Sequence, residues 1–228
     1  MGKLIVIEGL DGSGKSTQTP LLERELKEQG RNVMVISFPD YGSESSALVR
    51  MYLSGAFGEH PDDVGAYAAS SFYAVDRYAS YMTGWRDFYQ RPDSVVLATR
   101  YTSSNEIHQL AKLPRDDWDA FIRWTEDYEF EKLKIPRPDA VLYLDMKYEI
   151  ASEMIEKRCE STGQRRDIHE TDTAYLERCH KAAAYAADKL GWHRIVCYEG
   201  RQPCSKEEIA ARILEKVTVL LDVPGKDI

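Results

Sequence analysis

A glycine-rich segment directly after the first apolar run limits the folds open to this chain. Leu4–Ile7 is an apolar, β-branched run of strand length, and Gly9–Ser16 reads GLDGSGKS, which matches the pattern G-x-x-x-x-G-K-[ST]. Glycines at these spacings let consecutive backbone N–H groups turn inward into an anion-binding nest, and a following helix adds the partial positive charge of its N-terminus. The sequence therefore predicts a strand, a loop and a helix that together bind a nucleoside triphosphate.

The residues of this loop have predicted parts in nucleotide binding. We expect the backbone to cradle the phosphates, the Lys15 ammonium to reach the outer phosphates, and the Ser16 hydroxyl to ligate Mg²⁺, the metal cofactor that accompanies ATP. The alternative, a glycine turn that merely exposes a lysine, is disfavoured by the strand before the loop and the helix after it. The predicted nucleotide-binding residues are Gly9, Leu10, Asp11, Gly12, Ser13, Gly14, Lys15, Ser16 and Thr17.

Strand-length apolar runs alternate with helical patterns along the rest of the chain. The predicted strands are 4–7, 33–36, 95–98, 140–144 and 194–197, and the predicted helices run from the loop to Gly30 and over 44–53, 62–90, 104–131 with a break near Pro114, 148–158, 172–190 and 205–221. This alternation predicts an α/β fold of the P-loop NTPase type, a three-layer sandwich whose five-stranded parallel sheet has helices on both faces. We expect one domain with this phosphate-binding loop over 1–222, a flexible tail at 223–228, and a kink or an irregular first turn at Pro20.

Composition and charge disfavour several classes of protein. The 30 Lys and Arg against 38 Asp and Glu give a net charge of −8, which argues against broad nucleic-acid binding. No apolar run approaches the ~18 residues of a membrane span, and the N-terminus lacks the pattern of a signal peptide, so we expect a cytoplasmic protein that does not enter a membrane. Reduced thiols are therefore expected at Cys159, Cys179, Cys197 and Cys204.

The class of triphosphate enzyme can be narrowed further. The guanine-reading motif N-K-x-D of GTPases is missing from the sequence. The run Val141–Asp145 has the form of an ATPase strand that ends in a metal-orienting aspartate, but we interpret Asp145 as a strand-end or helix-start residue, with a metal partner as the alternative. A small nucleotide kinase remains, which needs a second pocket for the acceptor and a mobile basic lid.

An ordered series of short motifs resembles the thymidylate kinase (dTMP kinase) family from Ile5 to the helix that ends near Leu221. The series comprises the loop EGLDGSGKST at 8–17, FP at 38–39, YAVDR at 73–77, RY at 100–101 with SN at 104–105, and an arginine-rich stretch before DIHE at 167–170. The resemblance implies transfer of the γ-phosphoryl group of ATP to dTMP, which gives dTDP and ADP. It also implies the strand order 2-3-1-4-5 and a homodimer.

The resemblance further implies the residues that bind the acceptor. In chain order, Asp11 matches a contact to the sugar 3′-hydroxyl, Phe38 packs near the acceptor, Tyr73 stacks on the pyrimidine, Arg77 donates to the base carbonyl, Arg100 grips the acceptor phosphate, and Ser104 and Asn105 read the base edge. The residues themselves are compatible with these roles, because Tyr73 and Arg77 are four apart and share one face of a helix. A place in the core is the alternative for Tyr73.

A compact basic cluster is predicted to close over the site. Lys157, Arg158, Arg165 and Arg166 flank the loop-like segment 161–164, so we expect a mobile lid at about 157–169, with a solvated charged turn as the alternative. Arginines on such a lid would neutralise charge on the transferring phosphoryl group and exclude water. Gly12 stands where some members of the family carry an arginine, which makes the lid the expected source of this charge. The predicted catalytic residues are Lys15, Arg100, Arg158, Arg165 and Arg166.

Two positions depart from the family pattern. Thr99 stands where the family usually has an aspartate before the arginine, and Asp40 and Tyr41 follow Phe38–Pro39 where some relatives place an arginine. These departures leave two other functions open. One is a kinase for another (deoxy)nucleotide or a deoxynucleoside, and the other is a nucleotide-binding protein with weak catalysis.

Overall fold

A five-stranded parallel sheet forms the centre of the protein, which a computed structural model describes over residues 1–162 and 172–222. The strands are β1 (Lys3–Glu8), β2 (Asn32–Ser37), β3 (Ser94–Thr99), β4 (Ala140–Asp145) and β5 (His193–Val196). Their order across the sheet is β2-β3-β1-β4-β5, and every neighbouring pair is parallel. The predicted α/β fold, sheet and strand order are confirmed.

Helices connect the strands and cover the sheet. They are α1 (Lys15–Glu28), α2 (Ala47–Leu53), α3 (Ala66–Ser80), α4 (Arg86–Tyr89), α5 (Ser103–His108), α6 (Trp118–Glu126), α7 (Tyr148–Thr162), α8 (Thr173–Leu190) and α9 (Lys206–Asp222). A short hairpin, β6 (Tyr198–Glu199) and β7 (Gln202–Pro203), follows β5 and was not predicted from the sequence. None of these helices combines the length and apolar character needed to cross a bilayer.

One predicted helix is interrupted in the structure for a local reason. The segment predicted as one helix over 62–90 contains α3, a π-helical turn at Tyr81–Trp85 and α4. Apolar side chains continue through this turn, and Trp85 lies in the core at 1% exposure. The spacing of apolar residues in the sequence therefore did not show that the helix is interrupted. Pro20 lies inside helix α1, and the kink or irregular first turn expected there stays a prediction. The predicted tail and the part of the predicted lid beyond Thr162 lie outside the described residues.

Alternate residues of β1 pack on opposite faces of the sheet, as expected for a strand that is buried on both sides. Ile5 and Ile7 pack in a cluster with side chains of α1 and α9, whereas Leu4 and Val6 pack in a cluster with Trp85 and with side chains of β3. The resulting three layers hold the sheet rigidly. The neighbouring strands β1 and β3 end together, so Glu8 and Thr99 lie at the carboxyl edge where ligands bind in open α/β sheets.

Candidate active site

A cavity of about 720 Å³ opens at the carboxyl edge of the sheet. This volume is typical of a small-molecule site. The predicted site residues that line the cavity are Asp11, Gly12, Gly14, Lys15, Ser16, Thr17, Phe38, Tyr73, Arg77, Arg100, Ser104 and Asn105. Gly9, Leu10 and Ser13 belong to the same loop without lining the cavity. The side chains of Arg158, Arg165 and Arg166 lie outside the described residues, so their roles stay predictions.

The loop between β1 and α1 has a backbone that favours glycine, most clearly at Gly12 and Gly14. Gly12 has φ +77° and Gly14 has φ +94°, a region that side-chain-bearing residues rarely adopt. A Cβ atom on Gly12 would also lie 2.5 Å from the carbonyl oxygen of Ala151 in α7. The loop then enters α1 at Lys15, and the N–H groups of Lys15 and Ser16 precede the first helical hydrogen bonds, which Thr17 and Gln18 donate to the carbonyl oxygen of Gly14. This geometry provides a binding place for phosphate oxygens.

Lys15 places its ammonium group over this loop. Its Nζ atom donates to the carbonyl oxygens of Gly9 at 2.7 Å and Leu10 at 2.9 Å, and it lies 3.9 Å from Asp11 Oδ1. The side chain is 9% exposed, so the charge is largely shielded from bulk water. The loop therefore holds the lysine beside the space in which the backbone would bind phosphates.

Arg100 enters the same cavity from the end of β3. Its φ of +64° is unusual for a residue with a side chain and costs about 1–3 kcal/mol of backbone strain, which points to a functional site. Its Nη2 atom donates to Asp11 Oδ1 at 2.5 Å, and its Nη1 atom lies 3.7 Å from Glu8 Oε1 and 3.2 Å from His108 Nε2. The guanidinium group is thus held by groups from β1, the loop and α5.

Charge in the cavity is balanced between Lys15 and Arg100 on one side and Asp11 and Glu8 on the other. Burial alone would lower the pKa of Arg100, but the carboxylates of Asp11 and Glu8 outweigh that effect and raise it. The Asp11 side chain is 22% exposed, whereas that of Glu8 is completely buried. Of the two carboxylates beside Arg100, Asp11 is thus the one that solvent reaches.

Glu8 is a part of the site that sequence reasoning missed. It accepts hydrogen bonds from Ser103 Oγ at 2.7 Å, from Ser104 Oγ at 2.8 Å and from the backbone N–H of Gly9 at 2.9 Å. This carboxylate joins the start of the phosphate-binding loop to the start of α5. Its position directly after the first apolar strand was the available signal, since strand ends of parallel sheets carry ligand sites.

The predicted base-binding residues lie together at the far end of the cavity. Tyr73 packs edge-on against Tyr52, with 6.4 Å between ring centroids. Arg77 is 1% exposed and forms a two-point ion pair with Glu129, while its Nη1 atom donates to the carbonyl oxygen of Tyr101 at 3.3 Å. Asn105 lines the cavity from α5 and also donates to Glu129. Contact of these residues with a base stays a prediction.

Thr99, in place of the family's aspartate, has a local structural role. Its hydroxyl lies 3.0 Å from the hydroxyl of Thr19, which bonds the carbonyl oxygen of Lys15 at 3.0 Å. The pair ties the end of β3 to the first turns of α1. A hydrogen bond between two neutral hydroxyl groups thus stands next to the phosphate-binding loop, where the family usually has the negative charge of an aspartate.

The other departure from the family pattern fixes the loop after β2. The backbone N–H of Asp40 donates to Asp76 Oδ2 at 2.9 Å, and Ser45 Oγ donates to Asp76 Oδ1 at 2.6 Å. Because Asp76 lies on α3 beside Arg77, the helix that carries Tyr73 and Arg77, which are predicted to bind the base, also holds the loop that follows Phe38. Phe38 itself is buried against Tyr101, with 5.9 Å between ring centroids.

Several further cavity residues were not predicted from the sequence. His108 and Gln109 line the cavity from the end of α5, and Tyr41 lines it from the loop after β2. Gln109 Oε1 is buried and has no hydrogen-bond partner among the described residues. His108 is four residues after Ser104, so helical spacing could have placed it on the same face.

The residues present fit Mg²⁺ bound mainly through a nucleotide. The described residues contain no group of three or more His, Cys, Asp or Glu that could hold a metal ion by themselves. Mg²⁺ in kinases usually keeps several waters and is bound by substrate phosphates with one or two protein groups. Ser16 and Asp11 both line the cavity and can supply such oxygen ligands.

A buried carboxyl group near the site gives a stability prediction. Glu106 in α5 is 3% exposed, and its pKa is raised from 4.5 to about 8 by burial first and then by the nearby carboxylates of Glu129 and Glu126. The folded chain therefore keeps this proton between about pH 4.5 and pH 8, while the unfolded chain loses it. The contribution of Glu106 to folding stability therefore falls over that interval as the pH rises.

Replacing Glu106 by glutamine should remove this contribution. We expect the unfolding free energy of the Glu106→Gln variant to rise relative to that of the unchanged protein by up to ~1.4 kcal/mol per pH unit between about pH 4.5 and pH 8. Urea unfolding at several pH values measures this difference, with the exposed Glu28→Gln as control. Parallel stability curves for the protein and its Glu106→Gln variant would contradict the prediction.

Comparisons with known proteins show the family to which this chain is similar. A sequence model of the family described as thymidylate kinase matches residues 7–209. A thymidylate kinase from Mycobacterium tuberculosis is 31% identical over 83% of this chain and 87% of its own length, and one from Leifsonia xyli is 32% identical over 93% and 92%.

A solved structure shows the same fold. The structure of the thymidylate kinase from Candida albicans matches with a TM-score of 0.72 and 19% identity over 97% of this chain and 94% of that chain. At this identity the match concerns the fold alone. The family match over most of the sequence confirms the resemblance that the motifs indicated, including its ATP-dependent phosphotransferase activity toward dTMP. The chain belongs to the thymidylate kinase family.

Proposed function

We propose that the protein transfers the γ-phosphoryl group of ATP to the 5′-phosphate of dTMP, with the residues of the described cavity in defined roles. The observation that carries this proposal is that Lys15 and Arg100 line one cavity from two different elements, the phosphate-binding loop and the end of β3. A nucleotide kinase must hold two anionic groups close together and in line. Family membership supplies the activity, and the cavity supplies a site for each phosphate.

On the donor side, the backbone of the loop and the Lys15 ammonium bind the outer phosphates of ATP. Lys15 exchanges its contacts with the carbonyl oxygens of Gly9 and Leu10 for contacts with phosphate oxygens. Ser16 and Asp11 are the oxygen-bearing side chains that would hold Mg²⁺, which neutralises phosphate charge when bound. The loop backbone and Ser16 already stand at the start of the helix, whereas Lys15 and Asp11 change their contacts when the nucleotides bind.

On the acceptor side, Arg100 binds the 5′-phosphate of dTMP. The phosphate replaces the Asp11 carboxylate on the guanidinium group, which frees Asp11 to turn toward the sugar or the metal. Glu8 and His108 keep the guanidinium group in its direction during this exchange. Tyr73 stacks on the base, while Ser104 and Asn105 contact its edge. The arginines of the predicted lid complete the charge around the transferring group.

The assignment of the acceptor is tested by a panel of substrates. We expect ADP release in a coupled assay with ATP and Mg²⁺ to be fastest with dTMP and much slower with dCMP, dAMP, GMP and thymidine. Preference for dCMP, dAMP or GMP would overturn the thymidylate assignment. Preference for thymidine would show that the acceptor carries no phosphate, and ATP binding without turnover of any acceptor would show a nucleotide-binding protein.

We also propose that the protein forms a homodimer. Large apolar side chains are 39–43% exposed along α2, α3 and the π turn after it, at Leu48, Met51, Val75, Tyr78 and Met82. Such a surface is stabilised when a second molecule covers it. Light scattering after gel filtration should give twice the chain mass of 26.1 kDa, and a mass of one chain at micromolar concentration would contradict the proposal.

A further inference from the structure

One buried carboxylate binds two of the side chains that are predicted to form hydrogen bonds with the base, Arg77 and Asn105. Glu129 Oε2 accepts from Arg77 Nε at 2.6 Å, and Glu129 Oε1 accepts from Arg77 Nη2 at 2.5 Å and from Asn105 Nδ2 at 3.0 Å. Glu129 is completely buried, and Arg77 and Asn105 are each 1% exposed. Hydrogen bonds shielded from water in this way hold side chains in one orientation.

Glu129 reaches this position because it lies in a π-helical turn. The turn covers Asp127–Lys132 and continues α6, whereas Arg77 lies on α3 and Asn105 lies on α5. The carboxylate thus joins three helices at the base-binding end of the cavity. Turns of this type shift the direction of side chains within a helix and are frequent at functional sites.

The hydrogen bond from Asn105 to Glu129 determines which atom of the Asn105 amide can bind a ligand. The Nδ2 group has two hydrogens, and it donates to Glu129 Oε1 and, at 3.5 Å, to the carbonyl oxygen of Ser70. Asn105 lines the cavity, so the atom that it has left for a ligand is the acceptor Oδ1. Arg77 can only donate.

An acceptor beside a donor matches thymine and not cytosine. Thymine has a hydrogen on N3 and a carbonyl oxygen at C4, whereas cytosine has an unprotonated N3 and an amino group at C4. Cytosine in the same place would set acceptor against acceptor and donor against donor, which leaves buried polar groups unpaired. The orientation of the Asn105 amide is therefore the chemical basis of a preference for thymine over cytosine.

We propose that Glu129 is a positioning residue that sets the preference for thymine over cytosine, by fixing the direction of the Asn105 amide and of the Arg77 guanidinium group. Glu129 acts through these two side chains and does not itself touch the base. The inference rests on the proposed function, because it concerns the base of the proposed acceptor.

The test is the Glu129→Gln variant of the full chain, assayed with ATP and Mg²⁺. Glutamine can donate from Nε2 to Asn105 Oδ1, so the amide of Asn105 turns and presents its NH₂ group to the cavity. We expect the ratio of kcat/KM for dTMP to that for dCMP to fall about tenfold or more, mainly through a higher KM for dTMP, with the KM for ATP unchanged. An unchanged ratio would overturn the proposal.

The matched control is Glu106→Gln, which makes the same substitution at a second buried carboxyl group of the same region, one that has no ion pair with Arg77. It should keep the ratio of the unchanged protein, and a fall as large as that of Glu129→Gln would overturn the specific role of Glu129. An unchanged protein that phosphorylates neither dTMP nor dCMP would overturn the proposed function, and this inference with it. A protein that prefers dTMP and keeps the preference in Glu129→Gln would overturn this inference alone.

A second pair of variants covers the case in which Glu129→Gln folds poorly because Arg77 is left as a lone buried charge. The double variant Arg77→Gln with Glu129→Gln removes both charges, and Arg77→Gln alone is its reference. We expect the double variant to discriminate between dTMP and dCMP about fivefold less than Arg77→Gln, since Asn105 turns only in the double variant. Equal discrimination in the two would overturn the proposal.

Discussion

Replacing Lys15 by alanine should lower kcat for phosphoryl transfer about 10²–10³-fold, the usual effect of losing one group that stabilises the charge of a transition state in a shielded site. Lys15 is the cation of the phosphate-binding loop, and its ammonium group is held within 2.7 Å of the Gly9 carbonyl oxygen. The loop backbone stays in place in the variant, so part of the affinity for ATP should remain. Steady-state rates of ADP release measure kcat, and calorimetry measures the remaining affinity.

The matched control is Lys27→Ala on the same helix. The Lys27 side chain is 53% exposed and pairs with Glu23 at the surface, so its loss should change neither kcat nor the affinity for ATP. If Lys15→Ala behaved like Lys27→Ala, the loop would not bind the triphosphate. The roles in triphosphate binding that are predicted for Ser16 and for the loop backbone would then also be wrong.

Replacing Arg100 by alanine should raise the KM for dTMP about 10²-fold, because a buried charge-assisted contact to a phosphate is worth about 2–5 kcal/mol. The variant also leaves Glu8 and Asp11 without the cation that balances them, which opposes the approach of a dianion. The KM for ATP should change much less, since the donor is held by the loop. Initial rates over a range of dTMP concentrations at saturating ATP separate the two effects.

A nucleoside acceptor distinguishes the role of Arg100 from a general loss of structure. Arg100→Ala should leave the weak reaction with thymidine unchanged, because thymidine has no phosphate for the guanidinium group to bind. Arg24→Ala, at a side chain that is 61% exposed on α1, serves as the surface control. An unchanged KM for dTMP in Arg100→Ala would mean that the acceptor phosphate binds elsewhere.

The parts of the site that could be predicted from sequence are those encoded within a few residues. The phosphate-binding loop depends on glycines that tolerate positive φ and on a lysine at a fixed spacing, so one short segment contains all of its information. Arg100 follows a buried strand directly, and the ends of parallel strands meet at one edge of a sheet. For the same reason, the alternation of strands and helices was enough to predict the fold.

Contacts between distant segments could not be predicted in this way. Glu129 is 52 residues from Arg77 and 24 from Asn105, and no local pattern indicates which of the chain's many carboxylates would pair with them. The two π-helical turns were also missed, because the apolar pattern continues through each of them. Both turns add one residue to a helical turn and so change the face on which later side chains lie.

A crystal structure with dTMP and a non-hydrolysable ATP analogue tests the central claim most directly. We expect the dTMP phosphate within hydrogen-bond distance of the Arg100 guanidinium group, in the place that Asp11 Oδ1 takes at 2.5 Å in the structure described above. The outer phosphates of the analogue should lie between the loop backbone and the Lys15 ammonium. A dTMP phosphate bound away from Arg100, or a triphosphate bound outside the loop, would contradict the account.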